Sequence, residues 1–199
     1  MSTPNIIDDN YTRSVLEIRY NSYHTSYIAT DEVIKQTGLP IRHQNPPEDI
    51  TENIVKFIII NYDKDASCKW AKAIKCHGDL CSDKYAIETP PEVKAFTSNG
   101  PCSFGPDKKF GVLYFLDMRD WLNNKFVLWK VSVSSDSPEW HNIKMNKTQT
   151  LKDQCEKGIR PHISWENIYS QIPDKCVKVY DGTFEGIFIQ QATEPVAEQ

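Results

Sequence analysis

The spacing of apolar residues changes from a helical period to short strand-like runs in the middle of this sequence, and the change limits the fold classes open to it. Ile50, Ile54, Phe57 and Ile58 follow the i, i+4, i+7, i+8 pattern of one helix face over residues 46–62. Later, three short runs rich in Val, Phe, Leu and Trp are typical of strands and cover residues 91–96, 111–116 and 126–133. The predicted fold class is therefore α/β, with a mixed central β-sheet flanked by helices.

The helix over residues 46–62 has clear signals at its start. Asn45 can cap it, and Pro46 and Pro47 suit its first turn. Glu52 is expected on or near the edge of its apolar face. Upstream, a helix is predicted from the loose periodicity of three apolar residues, Val15, Ile18 and Tyr23. A separate short helix is predicted over residues 30–37.

The last third of the sequence predicts helices followed by a hairpin. Helices are expected over residues 148–157 and 163–172. Two runs at residues 176–180 and 184–189 flank Asp181-Gly182, which is a strong hairpin signal. Residues 190–199 are expected to fray.

Nothing in the sequence predicts a division into several domains. The 199 residues contain no repeat and no clear linker, so one domain over residues 1–199 is expected. It would comprise a mainly helical part (1–62), a sheet that carries the candidate site (68–135), and C-terminal helices with a hairpin (140–189).

The sequence also predicts a cytoplasmic protein with no membrane segment. Its apolar runs fall far short of the roughly 20 residues that span a bilayer, and its first residues do not resemble a secretory signal. The six cysteines are therefore expected to be free thiols. Cys76, His77 and Cys81 lie close enough to suggest zinc, but a C-x4-C pair without a second pair is a weak zinc signature.

The charge of the sequence excludes one class of function. A formal net charge of −4 argues against a purely electrostatic nucleic-acid binder, but a metal-dependent nuclease needs basic residues only along its groove. Residues 141–161 contain five Lys or Arg against two acidic residues. Lys144, Lys147 and Arg160 are candidates for phosphate contact, and a solvated helix face is an equally good interpretation.

An acidic residue two positions before a lysine places both side chains on one face of a strand. Asp107-Lys108-Lys109 follows Gly105-Pro106 in a predicted turn, where alternation has no meaning. Glu92-Val93-Lys94 opens a predicted strand and is the only triplet in the right context. A surface ion pair between Glu92 and Lys94 is the alternative interpretation.

Hydrolysis of a phosphodiester needs a hard cation, and Mg²⁺ is usually held by one or two carboxylates. Asp79 lies 13 positions before Glu92, far enough for a turn and an adjacent strand, and is the predicted second acid. Asp83 is the fallback. Lys94 would supply a charge beside the scissile phosphate and help to deprotonate the attacking water.

The stretch that follows is more specific than the triplet. Thr97-Ser98 comes directly after the strand, then Ser103-Phe104-Gly105-Pro106, then the Phe-x-x-Leu-x-Phe-Leu run at residues 110–116. Over residues 77–118 this resembles a subgroup of type II restriction endonucleases with the PD-(D/E)xK fold. Residues 160–165, Arg-Pro-His-Ile-Ser-Trp, are similar to its pattern near the end of the chain.

The resemblance implies a homodimer that cleaves double-stranded DNA at a short palindrome and leaves 5′-phosphate and 3′-hydroxyl ends. It implies Asp79, Glu92 and the Val93 carbonyl as Mg²⁺ ligands and Lys94 as the catalytic lysine. Glu52, on the preceding helix, would assist. Pro90-Pro91 confines these residues to an edge strand or to the start of a strand, which leaves Glu88 open as a ligand.

Residues 97–106 form a loop whose small and hydroxyl side chains can approach DNA closely. Ser98, Asn99 and Ser103 are its candidate DNA contacts, although a turn-rich connector explains the same residues. Two other functions stay open: a repair or junction-resolving nuclease on the same scaffold, and a non-catalytic DNA-binding or zinc-stabilised module.

Overall fold

The structure of the protein is a computed structural model that describes residues 10–189. The predicted fraying of residues 190–199 lies outside these residues, as does the segment of residues 1–9, in which the sequence predicts no secretory signal. Within residues 10–189, no helix is both long and apolar enough to cross a membrane.

A long helix opens the described chain. Helix α1 spans Arg13–Thr37 and ends at Gly38, whose positive φ terminates it. Residues 30–37 are therefore helical, as predicted, but they form the end of α1 and not a separate helix. The loosely periodic residues do not mark the buried face, because Ile18 is 69% exposed whereas Leu16 and Tyr20 are buried. The cause is tertiary: the Tyr20 ring stacks on Phe184, with centroids 4.1 Å apart.

Helix α2 spans Glu48–Asn61, close to the predicted range. It is capped by the backbone of Pro47 without a side-chain hydrogen bond, so the predicted capping role of Asn45 is wrong. The predicted apolar face is confirmed, since Ile50, Ile54 and Ile58 are fully buried. Burial extends beyond that face, and even the carboxylate-bearing Glu52 is only 4% exposed.

The central sheet is mixed, as predicted. Its strand order is β3-β5-β6-β8, in which β3 is parallel to β5 and the other pairs are antiparallel. Two small antiparallel pairs, β1 with β2 and β4 with β7, lie outside it. The strands are β1 Lys69–Trp70, β2 Leu80–Cys81, β3 Pro91–Phe96, β4 Cys102–Ser103, β5 Val112–Asp117, β6 Lys125–Val131, β7 His162–Ile163 and β8 Cys176–Thr183.

Helices pack on both faces of the sheet. Along β5, Tyr114 points to the cluster built with α1 and α2, whereas Phe115 points to the cluster of Trp140 and Trp165. Alternate side chains of β5 therefore pack into two different cores, one on each face of the sheet, which explains why β5 is buried almost throughout. The second core is covered by α3 Pro138–His141, α4 Leu151–Glu156 and α5 Trp165–Gln171.

The predicted C-terminal hairpin is wrong. Strand β8 continues through Asp181-Gly182, which pair with Val127 and Phe126 of β6, and the chain then forms a short 3₁₀ helix at Gly186–Phe188. The local preference for a turn is overridden because β6 offers backbone partners along β8, with one register shift between Leu128 and Trp129. Gly182 also lies against the Tyr180 ring, where a Cβ would come within 2.7 Å of the hydroxyl.

Candidate active site

A cleft of about 460 Å³ opens beside β3, which is an edge strand of the central sheet. The start of α2, the loop before β2, β3 itself and the loop after β3 all contribute to its walls. Its lining includes six predicted site residues: Glu52, Asp79, Val93, Lys94, Ser98 and Ser103.

Strand β3 presents Glu92 and Lys94 on one side, as the triplet predicts. Lys94 Nζ donates a hydrogen bond of 2.5 Å to Glu92 Oε1. Val93, between them, belongs to the core cluster on the other side. The strand begins at Pro91, in keeping with the expectation that proline here marks an edge or a strand start. Glu92 is 2% exposed, so this pair is not the surface ion pair of the alternative interpretation.

Asp79 meets this strand from a different sheet. It precedes β2, which pairs with β1 rather than with β3, so the adjacent-strand interpretation is wrong. Asp79 Oδ2 nevertheless accepts a 2.8 Å hydrogen bond from the Val93 backbone N–H. Burial, and secondarily the charge of Glu92, raise the pKa of Asp79 to about 6.

Lys108 also reaches this acid pair, although the sequence pattern does not predict it there. Its Nζ lies 2.7 Å from Glu92 Oε2 and 3.8 Å from Asp79 Oδ1. The residue does lie in a turn, as expected, and Asp107 beside it is exposed. Strand alternation cannot identify Lys108, because its side chain enters the site from another segment. The sequence offers one signal for Lys108, which is that a lysine follows the predicted acid pair within a short stretch of chain.

Glu92 stays charged because two ammonium groups face it. Burial alone would raise its pKa, but the opposing charges of Lys94 and Lys108 outweigh burial and hold the pKa below its ordinary value. Its Oε2 is buried and accepts no well-aligned hydrogen bond from any described residue, and Lys108 contacts it only as an ion pair.

The acid pair fits a hard cation in its chemistry. Asp79 and Glu92 offer carboxylate oxygens. Glu92 Oε2 accepts no hydrogen bond from the described residues, and a bound cation would replace the Lys108 ammonium that now lies beside it. Among residues 10–189, no group of three or more His, Cys, Asp or Glu side chains is placed to hold a metal. Two carboxylates are enough for Mg²⁺, which usually keeps several waters.

Glu52 lies in the same cleft, with both oxygens engaged. Trp70 Nε1 donates a 2.6 Å hydrogen bond to Glu52 Oε2, and Lys72 Nζ lies 3.3 Å from Glu52 Oε1. Burial raises the pKa of Glu52 to about 7, although these two contacts oppose the rise. The fallback acids lie elsewhere: Asp83 lines a separate cavity, and Glu88 is exposed before β3.

The predicted DNA-contact residues of the loop divide into two groups. Ser98 and Ser103 line the cleft, and Ser103 Oγ is buried without a hydrogen-bond partner among residues 10–189. Asn99 is not among the cleft-lining residues, and its side-chain oxygen accepts a hydrogen bond from Arg119.

The three predicted basic contacts are exposed, and none forms an ion pair within the described chain. Arg160 lies just before β7, which pairs with β4 so that His162 faces Ser103. Lys144 lies nearer α5, where its backbone N–H donates to Gln171, and Lys147 follows in the same turn. Arg160 is therefore tied most directly to the cleft.

The zinc hypothesis gains nothing from the structure. Cys76, His77 and Cys81 do not belong to any metal-holding group of three within residues 10–189. Burial, with Cys76 beside it, raises the pKa of the Cys81 thiol to about 12, which keeps this thiol protonated. All six cysteines are free thiols, as predicted.

The fold and the site define a class: an α/β protein with a buried acid pair and two lysines at the edge strand of a mixed sheet. Within that class, the chain belongs to the Bsp6I restriction endonuclease family, whose model matches residues 11–172. The predicted resemblance to type II restriction endonucleases is thereby confirmed.

A curated relative matches a shorter stretch of the chain. The type II restriction enzyme Bsp6I of Bacillus sp. (strain RFL6) is 37% identical over 62 residues. The aligned stretch covers 31% of this chain and 34% of the relative, so the match spans about a third of the relative's length. No solved structure matches.

Proposed function

We propose that this protein is a type II restriction endonuclease with the PD-(D/E)xK fold, which uses Mg²⁺ to hydrolyse double-stranded DNA at a short palindromic sequence. The observation that supports this most is the meeting of three residues beside one cleft in a member of a restriction endonuclease family: Asp79 and Lys94 line the cleft, and the buried Glu92 contacts Lys94. The products would carry 5′-phosphate and 3′-hydroxyl ends. The single-domain organisation and cytoplasmic location belong to the same proposal.

Asp79 and Glu92, with the Val93 carbonyl, would hold the Mg²⁺. When bound, this ion neutralises phosphate charge and lowers the pKa of water at the site. The hydrogen bond from the Val93 N–H leaves Asp79 Oδ1 as the oxygen available to a cation. Glu52 would act on the pair indirectly, because both of its own oxygens are engaged.

Lys94 would act at the scissile phosphate. Its ammonium is held between the Glu92 carboxylate and the Phe104 ring, 5.2 Å from the ring centroid. This position fixes a positive charge at the cleft wall, where it can orient the attacking water and stabilise charge on the phosphate.

DNA would lie along the cleft, with Ser98 and Ser103 near the backbone or bases and Arg160 on phosphate. Asn99, Lys144 and Lys147 would contact DNA outside the cleft. Because a palindromic duplex has a local two-fold axis, a homodimer would present one set of contacts to both strands. Sedimentation with a cognate duplex tests this, and a one-to-one complex that cuts both strands would contradict it.

Cleavage of unmethylated and methylated phage DNA, with and without Mg²⁺, tests the proposed activity. We expect discrete fragments that require Mg²⁺. Lys94→Ala should lose cutting by orders of magnitude yet still bind DNA in a gel shift with Ca²⁺, whereas the matched control Asp107→Ala should cut nearly normally. Normal cutting by Lys94→Ala, or cutting confined to branched DNA, would contradict the proposal.

A further inference from the structure

The acid pair already contains a cation in this structure, the ammonium of Lys108. Its Nζ lies 2.7 Å from Glu92 Oε2 and 3.8 Å from Asp79 Oδ1, so it contacts one oxygen of each carboxylate. Lys94 contacts the other oxygen of Glu92, Oε1, and makes no ion pair with Asp79 among the described residues. The two lysines therefore do not duplicate each other.

The segment that carries Lys108 is fixed on both sides. Phe104 and Phe110 are buried in the second core, and the Lys108 backbone N–H donates to the Gly105 carbonyl at 3.2 Å. The side chain is 34% exposed, so the ammonium has solvent beside it. The backbone is thus held in place while the long side chain keeps a route out of the acid pair.

A divalent cation at Asp79 and Glu92 needs the oxygens that Lys108 now contacts. Two cations that share these oxygens would repel each other strongly at such short distances. Without any cation, two buried carboxylates a short distance apart would face the same repulsion between themselves. Both carboxylates can stay charged together only with a positive charge beside them.

We propose that Lys108 is a positioning residue that holds the acid pair in the absence of metal and withdraws when a divalent cation binds. The identity of that cation as Mg²⁺ rests on the proposed function. Lys108 thereby lowers the affinity of the empty site for metal and preserves the spacing of the two carboxylates.

Titration calorimetry with Mg²⁺, in the absence of DNA, tests the inference. Lys108→Met keeps the length of the side chain and removes its charge, and should bind Mg²⁺ at least about tenfold more tightly than the wild type. Lys108→Arg should stay close to the wild type. The matched control is Lys109→Met, because Lys109 pairs with Asp136 away from the cleft and its loss should leave Mg²⁺ affinity unchanged.

A second readout does not depend on affinity. In EDTA, Lys108→Met should melt at a lower temperature than the wild type, and saturating Mg²⁺ should restore more of the melting temperature in the variant. Lys108→Gln serves for the same measurements if Lys108→Met does not fold, as judged by circular dichroism.

Glu92→Gln separates the inference from the proposed metal site. If Glu92→Gln loses Mg²⁺ binding while Lys108→Met binds no more tightly than the wild type, the role of Lys108 is wrong and the metal site stands. If Mg²⁺ binding is the same in wild type, Glu92→Gln and Lys108→Met, the acid pair holds no metal and both proposals are overturned.

Discussion

The backbone N–H of Val93 donates a 2.8 Å hydrogen bond to the side chain of Asp79, and so joins two segments that belong to different sheets. Strand β3 lies in the central sheet, whereas Asp79 precedes β2 in a small separate pair. This contact and the shape of its loop therefore place the carboxylate of Asp79 beside Glu92, where Lys108 also reaches it. Changes in the loop should damage the site without touching a charged residue.

Gly78 is the residue of that loop least able to change. Its φ is +89°, and a Cβ there would lie 2.4 Å from Pro90 Cγ, just before β3. Gly78→Ala should cost about 1–3 kcal/mol of stability and reduce cleavage at least tenfold, because Asp79 would shift away from Glu92. Urea denaturation and a cleavage time course measure the two effects.

Gly158→Ala is the matched control for this prediction. Gly158 also has a positive φ, +68°, but nothing lies within 4 Å of its would-be Cβ. This variant should lose stability through backbone strain alone and keep its cleavage rate. Equal loss of cleavage in the two variants would show that the position of Asp79 does not matter.

Removal of either acid should abolish cleavage, but the two variants should differ in DNA binding without metal. Glu92→Ala frees the ammonium groups of both Lys94 and Lys108, which should tighten binding of duplex DNA in EDTA by about three- to tenfold. Asp79→Ala removes only the more distant partner of Lys108, so the gain in DNA affinity should be smaller in this variant than in Glu92→Ala. Fluorescence anisotropy with a labelled duplex measures both. Weaker binding by Glu92→Ala would refute the expectation.

The geometry of the candidate site was predictable from sequence where a single strand carries its residues. The apolar run and the alternation within it predict β3 and place Glu92 and Lys94 on one side, because a strand fixes the directions of neighbouring side chains. Lys108 could not be found in this way, since it approaches from a turn and its place depends on the packing of Phe104 and Phe110.

The errors in the fold have a similar origin. Asp181-Gly182 has a strong preference for a hairpin turn, but β6 supplies partners along its length and the strand continues. In α1, Val15 and Ile18 are exposed despite their loose periodicity, and the stacking of Tyr20 on Phe184 sets the buried face. In both cases distant partners outweighed a local preference.

The exposed basic residues should contribute to affinity rather than to sequence choice. Arg160→Ala, and likewise Lys144→Ala or Lys147→Ala, should weaken binding about equally on all sequences and lower the salt slope by roughly one unit for each phosphate that the variant no longer neutralises. Lys152→Ala is the control, because Lys152 pairs with Glu156 on the helix surface. Binding is measured between 50 and 200 mM salt, roughly the range over which counterion release is steep. An unchanged slope removes that residue from the DNA-facing set.

Glu52 should make the stability of the metal-free protein depend on pH. Burial raises its pKa in the folded state to about 7, from 4.5 when it is exposed in the unfolded chain. Between these values the folded state binds more protons than the unfolded state, so the free energy of unfolding must fall as pH rises through this window and level off above it.

Glu52→Gln can still accept the hydrogen bond from Trp70 but has no proton to lose. In EDTA it should match the wild type near pH 4.5, and above roughly pH 7.5 it should be more stable by up to about 3 kcal/mol. Urea denaturation of both proteins across this range tests the sign as well as the size. A difference that does not change with pH, or one that favours the wild type at high pH, would show that Glu52 is not held protonated by burial.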